Sequence, residues 1–289
     1  MSKTSKQNFI TYAMVIVAYV IFQTLSATGN LSSLMQGLLV PLCTYSILAV
    51  SLNLTVGVLG ELSLGHAGFM CIGAFSSAFF TACMKDTITN DLLRFILAFI
   101  VAAVCAGICG VLIGIPVLRL KGDYLAIVTL AFGEIIMNII NALYVGRDES
   151  AFHFSMKDSM SLNMTENGKI IIKGAQGITG TARQSTFTIG IILLLLTLVI
   201  VLNLMNSRSG RAIMSIRDNR IAAESVGIDI TKYKIMAFAI SASLAGLAGC
   251  LYAHNLSSLT ALPKNFGYNM SIMILVYVVL GGMANMRGS

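Results

Sequence analysis

The chain has 289 residues, of which 56% are hydrophobic and 11% charged, with a mean hydropathy of +0.85 and a formal net charge of +7. Soluble domains are about 45–50% apolar and about 25% charged, so this composition cannot cover a water-exposed surface. A soluble enzyme, a disordered chain and a collagen-like fibre are excluded, and an all-α, polytopic transmembrane helical bundle remains.

Apolar segments near the roughly 20 residues needed to cross a bilayer fall at 9–28, 35–56, 66–84, 95–118, 124–145, 186–205, 235–253 and 269–286, about eight spans in a single domain over 1–289. The first follows Lys3 and Lys6. Leu25 stands where a cleavage site ending at Ala27 would need a small residue, so an uncleaved helix is expected rather than a signal peptide. With the N-terminus inside, the inner connections hold eleven Lys and Arg and the outer ones eight. Five of those eight lie in the long connection 146–185, so the charge bias favours a cytoplasmic N-terminus. That connection is expected to form an external loop or cap. Its alternating piece Lys169-Ile-Ile-Ile-Lys173 is too short to assign.

Two polar breaks interrupt the apolar pattern, Gly57-Val-Leu-Gly-Glu-Leu-Ser-Leu-Gly-His-Ala-Gly68 and Arg119-Leu-Lys-Gly-Asp-Tyr124. Glycine-interrupted segments in transporters can unwind and expose backbone to a solute, whereas a tight turn at the membrane surface is the plainer reading. The turn is favoured for the second break, and the first stays open between the two. Glu134 is an acidic residue well inside a span, with Asn138 and Asn141 one and two turns further on the same face. A carboxylate at membrane depth must look into the bundle, a path or another subunit. A structural network and a substrate path both fit. Small residues four apart, Gly110 with Gly114, Ala242 with Gly246 and Ala245 with Gly249, mark close helix packing or sliding seams.

The inner connection 206–234 carries six basic residues. Asp218 is expected as N-cap of a helix of about two turns over 221–226, stopped by Gly227 with Ile228 as its apolar contact, and Asp229 or Thr231 then caps the next span. Such a helix can dock in a partner's groove or lie on lipid headgroups.

Catalytic and ligand signatures are missing. The sequence has no GxxxxGK[ST], GxSxG or HExxH, and its six cysteines form no CxxC pair. No catalytic residue, metal, cofactor or nucleic-acid partner is expected. Ser63 near His66 is the sole pair that an intramembrane enzyme could use, and an ion-coupled secondary transporter would need intramembrane charge pairs beyond Glu134.

Several stretches in order closely resemble branched-chain amino acid ABC transporter permeases of the larger type. They are Leu62-Ser-Leu-Gly-His-Ala-Gly-Phe69, Leu120-Lys-Gly-Asp-Tyr-Leu-Ala-Ile-Val-Thr-Leu-Ala-Phe-Gly-Glu134, Gly210-Arg-Ala-Ile213 with Ile216-Arg-Asp218, Ala222-Ala-Glu-Ser-Val-Gly-Ile228 and Val279-Leu-Gly-Gly-Met283 with Arg287-Gly288. The resemblance runs from about residue 35 to the end. It implies a bacterial inner-membrane importer of leucine, isoleucine and valine. Its partners would be a second related permease, two cytoplasmic ATPases, an external amino-acid-binding protein and membrane lipid. It also implies that Asp218, Ala222, Ala223, Glu224 and Gly227 belong to a coupling helix that docks on the ATPase, although the family's Glu-Ala-Ala order is here Ala-Ala-Glu. Gly65, His66, Thr129, Glu134 and Asn138 are the expected translocation-path residues. The Gly177-Ile178 pair in the external loop also looks familial. Related proteins continue through hydrophobic sequence beyond Met286-Arg-Gly-Ser289, so either a truncation or a short variant is expected here.

Overall fold

The computed structural model describes residues 3–85, 87–120, 122–148, 152–158, 162, 168–283 and 285–286. Lys121, Glu149, Glu166 and the terminal Arg287, Gly288 and Ser289 lie outside the described residues. The helices are α1 (Lys3–Ala27), α2 (Ser33–Asn53), α3 (His66–Cys83), α4 (Asp91–Val117), α5 (Asp123–Ala142), α6 (Phe187–Asn206), α7 (Arg208–Asp218), α8 (Arg220–Ser225), α9 (Ile230–Ala253), α10 (Pro263–Phe266) and α11 (Tyr268–Gly281). A wider helical turn, Leu54–Val58, prolongs α2. Among the described residues seven helices are long and apolar enough to cross a membrane, so the polytopic all-α expectation holds. The last apolar segment is helical over only 14 residues, α11, about 21 Å at 1.5 Å per residue, which is short for a span.

Polar caps set the helix starts. Ser32, Asn90, Thr186 and Asp229 accept hydrogen bonds from the first-turn N–H groups of α2, α4, α6 and α9. Asp229, not Thr231, therefore begins α9. Helix α9 is the central post. It lies against α2, α3 and α4, and its buried face is a run of small residues, Ser241, Ala242, Ala245, Gly246, Ala248 and Gly249. A side-chain carbon on Gly246 would strike the backbone of Ala102 and the side chain of Ala106 on α4, and one on Gly249 would strike Met70 on α3. The small-residue spacing thus reports backbones in contact, the usual way helices bind one another where lipid removes the hydrophobic drive. Helix α1 stands at the edge and meets α6 through Tyr19, whose ring lies 5.6 Å from that of Phe187 and whose hydroxyl is 3.2 Å from that of Thr188.

Among its described residues the connection 146–185 is partly strand. Strands β1 (Tyr144–Arg147), β2 (Phe152–Ser155) and β3 (Lys169–Lys173) form an antiparallel sheet in the order β2-β1-β3. The alternating Lys169–Lys173 piece is thus a strand, with Ile171 and Ile172 buried. A shorter pair, β4 (Ile178–Thr179) with β5 (Ser258–Leu259), ties the connection to the chain after α9. A Cβ at Gly177, whose φ is +66°, would collide with the Leu259 carbonyl, so the Gly177-Ile178 pair is where two loops press together.

Candidate functional site

Helix α3 starts inside the bundle rather than at its surface. His66, its first residue, is 2% exposed, and its Nε2 lies 2.9 Å from the Ser51 hydroxyl on α2. The Ser51 carbonyl accepts from the Ser241 hydroxyl at 2.5 Å, and Ser241 sits halfway along α9. The 57–68 break is therefore not a surface turn. Val58, Leu59, Ser63 and Gly65 are buried, and residues 59–65 run without helix or strand.

Helix α5 holds the end of this break. Thr129 Oγ1 accepts from the Leu64 N–H at 3.0 Å. A Cβ on Gly65 would lie 2.6 Å from the Thr129 carbonyl, so only glycine lets the chain pass so close. Thr129 and Gly65 are thus in contact.

Helix α11 begins beside the start of α3, with Tyr268 exposed and Met270 and Ser271 buried. Ser271 Oγ on its first turn accepts from the Ala67 N–H at 3.2 Å, so the N-terminal turns of α3 and α11 meet. Gly267, before α11, has no side chain to cap it, and the carboxylate of Glu134 does so instead, accepting from the Tyr268 N–H at 2.6 Å. An anion at a helix N-terminus is favoured by the partial positive charge there. Asn141 Nδ2 donates to the Ala261 carbonyl at 2.7 Å on the same approach, whereas Asn138 Nδ2 donates to the carbonyl of Glu134 within α5 and its side chain is exposed. Of the face formed by these three residues, Glu134 and Asn141 shape the entry to α11, and Asn138 stands open on the outside of this chain.

Three buried polar atoms of this region have no hydrogen-bond partner: Thr55 Oγ1, Ser63 Oγ and His66 Nδ1. Buried polar groups are nearly always paired, so these three atoms, in and next to the break that leads to α3, stand out.

The second group of residues lies at the α8 end. Asp218 is not the cap expected of it: it closes α7, and its carboxylate accepts from Arg217 Nε and Nη2 at 3.0 and 2.9 Å. Asn219 caps α8, its Oδ1 accepting from the Ala222 N–H at 3.1 Å. The helix accordingly starts at Arg220 and ends at Ser225. Gly227 is in the left-handed region at φ +84°, and the N–H groups of Gly227 and Ile228 close back on the carbonyls of Glu224 and Ala223. Ala223 is buried with Ile216 and Ile230, with Ile228 packed against them, and is the anchor that holds α8 on α7 and α9. Ala222, Glu224 and Gly227 face outward, flanked by Ile221 and Val226, which are 81% and 75% exposed.

The sequence alone does not show helix α7, nor a nearly buried ion pair between Glu61 in the break and Lys234 near the start of α9. The amphipathic spacing of Ile213 and Ile216 against Arg211 and Arg217 is the signal that would have found α7. The ion pair joins residues far apart in sequence and leaves no local trace.

A family model described as branched-chain amino acid transport system / permease component matches residues 34–289. The chain belongs to this family. It is 31% identical over 291 residues to the high-affinity branched-chain amino acid transport system permease protein LivM of Salmonella typhimurium, covering 98% of this chain and 65% of that protein. It is 31% identical over 250 residues to LivM of Escherichia coli, covering 83% and 57%. A weaker likeness, 29% over 101 residues, is to the autoinducer 2 import system permease protein LsrC of an Enterobacter species, covering 35% of this chain and 29% of that protein. The chain thus spans less than two thirds of the length of either LivM protein. No solved structure matches it.

Proposed function

We propose that this chain is a membrane permease subunit of an ATP-driven importer of leucine, isoleucine and valine in the bacterial inner membrane, with its N-terminus and the α7–α8 end in the cytosol. The observation that carries the reading is α8 itself. It is a short, capped helix beyond the spans, held rigidly from behind by Ala223, and it presents Ile221, Ala222, Glu224 and Val226 outward. Exposed apolar side chains on a rigid helix are what a partner's groove takes up. Hydrolysis of ATP belongs to separate ATPase subunits, which grip α8. A second, related permease completes the path, and an external binding protein delivers the amino acid.

The meeting point of α3 and α11 is the proposed centre of the path in this chain. The N-terminus of α3 suits the carboxylate of an amino acid, while that of α11 is already met by Glu134. The unpaired Ser63 Oγ and His66 Nδ1 offer further polar contacts. Exposed Asn138, at membrane depth on the outer face of α5, fits a path shared with the second permease better than a lipid contact. Alternating access then consists of opening this closed centre first to one side and then to the other, driven by the different affinities of the ATPase for the two states.

Pull-down of the chain with its companions from its own membrane tests the reading. ATPase subunits are expected in the eluate, and scrambling 220–226 is expected to remove them while the spans stay inserted. Normal recovery of ATPase with the scrambled helix would refute the docking role. Replacement of His66 by alanine is expected to leave ATPase recovery unchanged and to lower uptake. Unchanged uptake would remove His66 from the path.

A further inference from the structure

We infer that Arg217 is a positioning residue that carries motion of α8 into the 57–65 break and so to the start of α3; the inference rests on the importer reading above. Three links build the route. The first is the buried contact of Ala223 with Ile216 and Ile230, by which any displacement of α8 is passed to α7 and to the first turn of α9. The second is a pair of long cationic side chains that leave those two elements and enter the break. Arg217 on α7 donates from Nη1 to the Gly57 carbonyl at 3.0 Å, and Lys234 on α9 pairs with the Glu61 carboxylate. The third is the break itself, which leads within a few residues to Gly65, pressed on Thr129, and to His66 at the head of α3.

The break is built to receive Arg217. Gly60 has φ +77°, and a Cβ there would lie 2.5 Å from Arg217 Cγ, so the arginine stem lies directly on the glycine backbone. The guanidinium spends its donors within the chain, on Gly57 and on the Asp218 carboxylate, which fixes its plane. Arg217 is exposed, as are Arg208, Arg211 and Arg220, but three of its donors are turned onto Gly57 and Asp218. Interfaces and packed segments switch between discrete arrangements, so a rigid strut at this place moves the break as a unit.

The test uses the whole transporter with its ATPases and binding protein in proteoliposomes, with uptake of leucine and ATP hydrolysis measured on the same preparation. Arg217→Ala is expected to assemble and to hydrolyse ATP at close to the normal rate. Uptake per ATP should fall about tenfold, within the usual range of coupling energies. Arg217→Lys, which keeps a donor within reach of the Gly57 carbonyl, is expected to recover much of that ratio. Gly60→Ala, which displaces the strut without deleting it, is the second variant and is expected to lower the ratio in the same direction. A normal ratio in Arg217→Ala, or in Gly60→Ala should the first fail to assemble, overturns the inference, as does a loss of uptake that only follows the amount of complex assembled. Failure of the wild-type complex to import any of the three amino acids would instead refute the functional reading, before any variant is compared.

Discussion

The two glycine-bearing breaks, 57–65 and 119–124, look alike in composition, and their surroundings are opposite. In the first, Gly60 lies beneath Arg217, Glu61 is paired with Lys234, and the segment ends within the bundle at His66. In the second, Gly122 also has a positive φ, +58°, but nothing lies within 4 Å of where its side chain would be, and Gly122, Asp123 and Tyr124 are exposed. One break leads from an exposed Gly60 to the buried start of α3, and the other is a turn between α4 and α5. A glycine with positive φ therefore says only that the chain turns; what the turn does depends on which distant side chains reach it.

That contrast can be tested from the strongest effect to the weakest. Glu61→Gln leaves the Lys234 ammonium, 4% exposed, without its counter-charge, and breaking a buried pair in this way costs about 3–5 kcal/mol. A large drop in the thermal unfolding midpoint of the purified chain is expected, and exchanging the two residues, Glu61→Lys with Lys234→Glu, should recover part of it. Gly60→Ala comes next, because it adds a collision with Arg217 to the backbone strain. Gly122→Ala meets strain alone, about 1–3 kcal/mol, and the smaller shift in midpoint should be its own. Asp123→Asn, at the exposed first turn of α5, removes only a favourable interaction with the helix N-terminus, about 0.3–1 kcal/mol. Equal midpoints for Gly60→Ala and Gly122→Ala would erase the distinction between the two breaks.

Glu134 shows a different division of labour. Glu134→Gln keeps an oxygen for the Tyr268 N–H and loses the charge at the head of α11. Insertion and near-normal stability are expected, with reduced uptake; normal uptake by a well-expressed variant would leave Glu134 a cap and nothing more.

The sequence disclosed what is local and periodic. The apolar segments, the Asp229 cap, the Gly227 stop and the small-residue face of α9 each follow from residues close together in the chain. It did not disclose what depends on distance. Asp218 and Asn219 are both good caps, and Asp218 loses the role because Arg217 holds its carboxylate. Strands β1, β2 and β3 escape because each is 4 or 5 residues long and pairs only with the others. Within the candidate site, Gly65, Thr129 and His66 are brought together by the fold, while the partnership of Glu134 with α11 joins residues 134 positions apart and has no signature in either segment.

The most direct measurement of the account is leucine uptake into vesicles that hold this chain, its companion permease, the ATPases and the binding protein, with ATP present or withheld on the ATPase side. Uptake that requires ATP and disappears when α8 is scrambled is the predicted result. Uptake that proceeds without the ATPases, driven by a proton or sodium gradient alone, would contradict it.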